Sequence, residues 1–441
     1  MNKRILGLAI PNIVTNITVP LLGMVDTAIM GHLSAAHLAA IAIGTQIFNL
    51  IYWNFGFLRM GTSGLTAQAY GANDMDEAVR TFIRAISIAL LVALALIVLQ
   101  WPLAKLSELI FEGSEGVIRM ALTYFFVRIW AAPATLGLYA VKGWFIGMQN
   151  SKLPMWIAIF LNIVNILCSL LFVLVLHWDI RGVALGTVIA QYSGLAVGLF
   201  FMHHKYGHLL TPERCKLSTA LQWSEMRRFF KVNGDIFLRT VCLAAVFTYV
   251  TIASGKISDE ILAVNTLLLQ FFTLFSYIMD GFAYAGESLV GRYIGARDGD
   301  SLRKAVRLIL LWGLILTAAF TAIYAIGGNA ILSLFTDKQD ITAAAQPYMF
   351  WTLIIPVCGF AAFLFDGIFV GATASRAMRN CMFAATAAFF ALYFGFLNGL
   401  SDIDTQRWNN ILWTAFIVFL VMRGGLQAIM LKKSVYNRID R

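Results

Sequence analysis

Eleven ionisable side chains lie inside long apolar stretches of this 441-residue chain: Asp26, Arg59, Arg84, Arg128, Lys142, Asp235, Arg239, Asp280, Glu287, Asp366 and Arg423. A charge in such surroundings is costly unless it is paired, drawn to an edge or used. Asp26 stands in Pro20-Leu-Leu-Gly-Met-Val-Asp26-Thr-Ala. On an ideal helix it is roughly 33 Å from Arg4, too far to pair with it. A carboxylate held partly out of water can carry a proton. Asn162, Asn165 and Ser169 are spaced to share one helical face, and Thr187 opens the next apolar stretch. With Asp26 they have the donor set of a proton or sodium site; alone, amides and hydroxyls also serve as glue between helices. Pro11, Pro20 and Gly23 weaken the helix that carries Asp26 and make it a bending element. Arg84, Arg128, Lys142 and Arg423 are expected to snorkel from near the span ends. Arg59, Arg239, Asp280, Glu287 and Asp366 are candidates to line a cleft or gate, or to satisfy one another as buried pairs.

The elements that position these groups are transmembrane helices. The chain is 60% hydrophobic and 13% charged, where a soluble domain carries about 25% charged residues. Apolar runs recur at the length a helix needs to cross a bilayer, without the polar stripe of a soluble helix. Spans are expected near 5–30, 38–67, 81–104, 117–145, 153–176, 182–202, 229–252, 261–288, 305–326, 343–371, 378–399 and 409–431. The net charge of +10 reflects the positive-inside rule, not nucleic-acid binding. One set of span ends holds twenty Lys and Arg residues, from Lys3 and Arg4 to Arg438 and Arg441; the other holds only Lys105, Arg119, Arg181, Lys256, Lys338 and Arg407. Both termini are therefore expected in the cytoplasm. The five cysteines support neither a disulfide framework nor a metal site.

Residues 33–80 align without gaps on 257–304, an offset of 224. Gly71-Ala-x-Asp74-x-Asp76 meets Gly295-Ala-x-Asp298-x-Asp300, and Gly143-x-Phe145-x-Gly147 meets Gly367-x-Phe369-x-Gly371. The expected fold is all-α, twelve helices in two pseudo-symmetric six-helix bundles, an N-lobe 1–213 and a C-lobe 214–441. Six spans per repeat give both halves the same orientation and suit alternating access. Charges are not repeated: Asp26 falls opposite Val250, Arg59 opposite Ala283, Asp280 opposite Gly56, Glu287 opposite Ser63, and Asp366 opposite Lys142. The skeleton does not require them, so they point to different tasks in the two halves. Aromatics cluster in the second span (Phe48, Tyr52, Trp53, Phe55, Phe57) and its repeat (Phe271, Phe272, Phe275, Tyr277), and would suit flat cationic ligands.

Several blocks resemble MATE multidrug exporters of the DinF subfamily: Pro11-x-x-x-x-Asn16-x-x-x-Pro20-Leu-Leu-Gly-x-Val-Asp26-Thr-Ala-x-x-Gly31-His32, Phe57-Leu-Arg59-Met-x-Thr-x-Gly64, Asp280-Gly-Phe-Ala-Tyr284-Ala-x-Glu287 and Asp366-Gly-x-Phe-x-Gly371. The resemblance covers essentially the whole chain. It implies the two-lobe fold and cation-coupled export of small amphipathic, often cationic drugs by a monomeric protein of the bacterial inner membrane. It implies no cofactor beyond a coupling ion, H+ or Na+, no metal, and no nucleic-acid partner. The family's N-lobe ion site maps onto Asp26, Tyr124, Asn165 and Thr187. Ser169 stands where members commonly have a second Asp, and the TM7 glutamate of the sodium-coupled NorM branch has no clear counterpart. Both departures favour the proton, with protonation of Asp26 linked to drug release. The rival readings are a sodium-coupled exporter, a lipid-linked precursor flippase of the same superfamily, which would want a strongly cationic cleft, and a membrane-embedded enzyme. The six histidines lie in loops or at span ends, away from any catalytic cluster.

Overall fold

The computed structural model describes residues 1–111, 113–398 and 404–439. Of the positions named above, Gly399, at the end of the eleventh expected span, and Arg441 lie outside the described residues. Twelve helices are long and apolar enough to cross a membrane: α1 (Asn2–Gly31), α2 (Ala35–Gly71), α3 (Met75–Val98), α4 (Glu115–Gly147), α5 (Lys152–Val175), α6 (Asp179–Leu209), α7 (Trp223–Ile257), α8 (Asp259–Gly295), α9 (Gly299–Phe335), α10 (Gln339–Gly371), α11 (Ser375–Leu397) and α12 (Thr405–Arg438). The third stops earlier than its apolar run, at Val98; a separate short helix, Gln100–Ile110, follows. Pro102 sits in its first turn, where a missing N–H costs nothing.

The chain divides into two compact units, residues 10–233 and residues 234–441 together with 1–9. The first turns of α1 thus pack with the second unit: Arg4 donates to the Tyr293 hydroxyl at 3.4 Å, and Trp312 Nε1 to Asn2 Oδ1 at 3.4 Å.

Within each unit the repeat reappears as geometry. Ser34 caps α2 by accepting from the His37 amide, and Ser258, 224 residues on, caps α8 by accepting from Ile261. Asp74 accepts from the Glu77 amide at 2.9 Å and Asp298 from the Ser301 amide at 3.0 Å. The hydrogen bonds from Ser301 hold the Asp298 carboxyl below the usual carboxylate range. Left-handed backbone recurs in register, at Asn73 and Arg297 and at Gln149 and Thr373. Ser151 accepts from Asn12 of α1 at 2.9 Å; its repeat partner Ser375 donates to Asp235 of α7 at 2.9 Å.

Glycine fixes the closest crossings. A Cβ on Gly143 of α4 would lie 2.5 Å from the Arg59 carbonyl oxygen of α2, and one on Gly147 2.8 Å from that of Ser63. Gly367 and Gly371 of α10 meet the Ala283 and Glu287 carbonyls of α8 in the same way. Backbones that touch gain dispersion contacts and replace the hydrophobic drive that lipid cannot supply. Gly367→Val should force α8 and α10 apart and lower stability by about 1–3 kcal/mol, read as a lower melting temperature in detergent. Gly425→Ala, where a Cβ meets nothing within 4 Å, should leave it unchanged.

Candidate functional site

In the first unit, α1, α5 and α6 bring Asp26, Ser169, Asn165 and Thr187 into one buried cluster, each no more than 4% exposed. Ser169 Oγ donates to Asp26 Oδ1 at 3.2 Å, and Asn165 Nδ2 donates to Thr187 Oγ1 at 3.0 Å. Gly186 of α6 lies against the Ser169 backbone, where a Cβ would stand 3.1 Å from its nitrogen, so small residues let α5 and α6 close around the acid. Asn165 Oδ1, also buried, accepts no hydrogen bond among the described residues. Tyr124 of α4 is fully buried, packed against Gly44 and edge-on to Phe48.

Arg128 completes the cluster. Its guanidinium hydrogen-bonds the Tyr124 hydroxyl, lies 4.7 Å over the Phe48 ring, and is the cation whose charge acts on Asp26. The expectation that Arg128 snorkels is corrected: the phenol and the aromatic face of α2 hold it inside. The sequence reading placed Arg128 at a span end and outside the site; the signal for its true place was its spacing, one turn after Tyr124 on the same face.

Asn162 is set apart from this cluster. Its Nδ2 donates to the Thr18 carbonyl at 2.9 Å, two residues before Pro20. α1 runs unbroken through Pro11 and Pro20, and each proline withdraws an amide from the helical ladder. The hydroxyls of Thr15 and Thr18 bond neighbouring carbonyls at 2.9 and 2.8 Å, and Gly23 has no atom within 4 Å of where a Cβ would stand. Helix α1 thus has fewer ladder bonds and an open flank just before Asp26.

The second unit holds a different cluster. Asp366 of α10 accepts from Arg239 of α7 and from Arg423 of α12, and from Gln427 Nε2 at 2.8 Å. Asp366, Arg423 and Gln427 are buried, and Asp280 lies within electrostatic reach of Arg239. Arg423 does not snorkel as expected, because Asp366 supplies an internal partner. Arg84 is likewise buried: its Nε donates to the Ala220 carbonyl at 2.7 Å and its Nη1 to Glu77 at 2.6 Å, docking the segment between α6 and α7 onto α3. Glu287 is buried on α8, and Arg59 stands beside Lys142 and Tyr139 in the first unit.

At the repeat positions of the Asp26 cluster, Val250, Phe389, Tyr393 and Ile411 stand instead. The second unit places its neutral polar group elsewhere: Asn265 bonds Ser254 and Asn409 at 2.7 Å each and accepts from Trp413 at 2.8 Å. This amide network went unseen in the sequence, although Asn265 standing opposite Ile41 marks it.

The MatE family model matches residues 11–171 and again 236–397. The chain is 38% identical to the DNA damage-inducible protein F of Escherichia coli, over 96% of this chain and 90% of that one. It is 25% identical to human multidrug and toxin extrusion protein 1, over 77% of this chain and 59% of that one. Among solved structures, one described as MATE in the bent conformation superposes with a TM-score of 0.85 at 17% identity, covering 100% of this chain and 96% of that one. The Vibrio cholerae MATE transporter VcmN in its bent form gives 0.84 at 16% identity, covering 99% and 98%.

Replacing Asp366 by Ala would leave Arg239 and Arg423 buried without their shared carboxylate. The expected loss is about 3–5 kcal/mol, measured as a lower melting temperature in detergent. Asp26→Asn keeps an acceptor for Ser169 and should melt close to the parent.

Proposed function

The chain belongs to the MatE family of multidrug and toxin extrusion transporters, and from that premise we propose that it exports amphipathic compounds in exchange for protons, with Asp26 as the proton carrier. One observation carries this reading: a buried carboxylate accepts from Ser169, one turn of α5 from an unpartnered acceptor, Asn165 Oδ1. Ionised, Asp26 only accepts, and it has the Ser169 hydroxyl and the Arg128 charge to balance it. Protonated, it becomes a donor that needs an acceptor, and Asn165 offers one. The two protonation states therefore call for different partners within one cluster.

The proposed cycle follows from that change. With the charge removed, Arg128 loses its counterion and Ser169 its strongest acceptor, so the contacts that fix α1 against α5 weaken. The open flank at Gly23 and the thinned ladder at Pro20 let α1 bend there and expel the compound. Loss of the proton to the other side restores the ionised cluster. We place the protein in a bacterial inner membrane with both termini in the cytoplasm, working by alternating access. Because Ser169 replaces a second carboxylate, sodium would meet a single negative charge, fewer anionic ligands than such a site favours; the proton is the better fit.

In proteoliposomes, an imposed proton gradient should drive export of an amphipathic cationic dye, and a sodium gradient alone should not. Asp26→Asn should abolish the proton-driven component, while Asn165→Ala should retain it with a displaced pH profile. Dye export by Asp26→Asn at the parental rate and with the parental pH dependence would overturn the role of Asp26.

A further inference from the structure

At the end of the first unit remote from the chain termini, a cavity of about 780 Å³ opens between the start of α2, the first half of α4 and the start of α6. Among the described residues, Arg119, Arg181, His37 and His177 line it together with the acid Asp179. The remaining wall is apolar, with Met120, Val127 and Leu185. This concentration of cations runs against the charge pattern of the chain. That set of span ends holds six Lys and Arg residues in all, and two of them meet here with two of the six histidines. At the repeat positions of Arg119, Arg181, His37 and His177 the sequence has Ala343, Thr405, Ile261 and Ser401, none of them basic. The basic cavity is thus a property of one unit, not of the repeat.

The walls are built. His37 is fixed through its Nδ1, 2.7 Å from the Ser34 hydroxyl. His177 and Asp179 have positive φ, 55° and 48°, a left-handed conformation in which His, Asn and Asp are the commonest residues after glycine. The turn they form is held by the Trp178 amide, which donates to the Phe172 carbonyl at 2.9 Å, and by stacking of Trp178 on Phe172 at 5.1 Å. Half-exposed Trp178 sits at the end of a span, where tryptophans mark the level of lipid headgroups.

We propose that this cavity binds an anionic phospholipid of the outer leaflet, its phosphate against Arg119, Arg181 and the two imidazoles and its upper acyl chain along Met120, Val127 and Leu185. The assignment to the outer leaflet rests on the orientation proposed above; the site itself is independent of the transport reading. Its volume lies in the range of small-molecule sites, and a cationic rim over an apolar wall is complementary to an acidic amphiphile, not to a free ion or a cationic drug.

The test is calorimetric titration of the full-length protein in a neutral detergent with dihexanoyl phosphatidylglycerol, dihexanoyl phosphatidylcholine and inorganic phosphate. Phosphatidylglycerol should bind saturably, and the other two much more weakly. The double variant Arg119→Gln/Arg181→Gln should weaken that binding about 30-fold at low salt, since each basic side chain near a headgroup contributes about a factor of five. Arg407→Gln, at an equivalent end of the other unit, should bind as the parent does. Should the double variant melt lower than the parent, His37→Gln/His177→Gln decides by the same loss of binding. Undiminished affinity in the deciding variant, equal binding of phosphatidylcholine, or equal binding of inorganic phosphate would overturn the proposal. Loss of dye export in Asp26→Asn leaves all of these outcomes unaffected, so this site and the transport reading fail separately.

Discussion

Hydrocarbon supplies no hydrogen bonds, so every polar atom placed inside a span must find its partner on another helix or on its own backbone. That single constraint organises this chain. It explains why Asn162 reaches across to the Thr18 carbonyl beside Pro20, why Asn265 gathers Ser254, Asn409 and Trp413, and why two arginines converge on Asp366. It also draws attention to the buried atoms that fall short of it, of which the described residues hold several in each unit. Asn165 Oδ1 is buried and unmet, in the cluster that holds Asp26, where a proton would supply the missing bond.

Duplication set the skeleton and left the interior free to diverge. Caps, left-handed turns and glycine crossings recur 224 residues apart because each is fixed by backbone geometry, which tolerates few residue types. Side chains inside each bundle face no such limit once the crossings are secured. Val250, Phe389, Tyr393 and Ile411 fill with apolar volume the places that Asp26, Asn165, Ser169 and Thr187 occupy in the other unit. Two bundles with one frame can thus hold different polar cores.

Most of the frame was readable from the residues. Hydropathy marks twelve spans, and the offset aligns the two halves before any coordinate is known. The grouping of Asp26 with Ser169, Asn165 and Thr187 follows from helical spacing together with the family resemblance. What stayed hidden was the direction of the long basic side chains. Arg128, Arg423 and Arg84 each stand near a span end, where a flexible stem can turn outward to water. Which way they turn depends also on partners that other elements bring in: Asp26 for Arg128, Asp366 for Arg423 and Ala220 for Arg84. No local pattern encodes such pairings. The amide network at Asn265 escaped for the same reason, since its hydrogen bonds join residues up to 148 positions apart.

The two polar cores also differ in how an electric field acts on them. Arg239, Arg423, Asp366 and Asp280 gather two basic and two acidic side chains in one group, so their opposite signs offset one another in the field. Asp26 changes the charge of its unit by one whenever it gains or loses a proton. A full traverse of the field by one charge is worth about 2.3 kcal/mol per 100 mV. If Asp26 carries the proton as proposed, the proton-linked sensitivity to voltage would arise in the first unit.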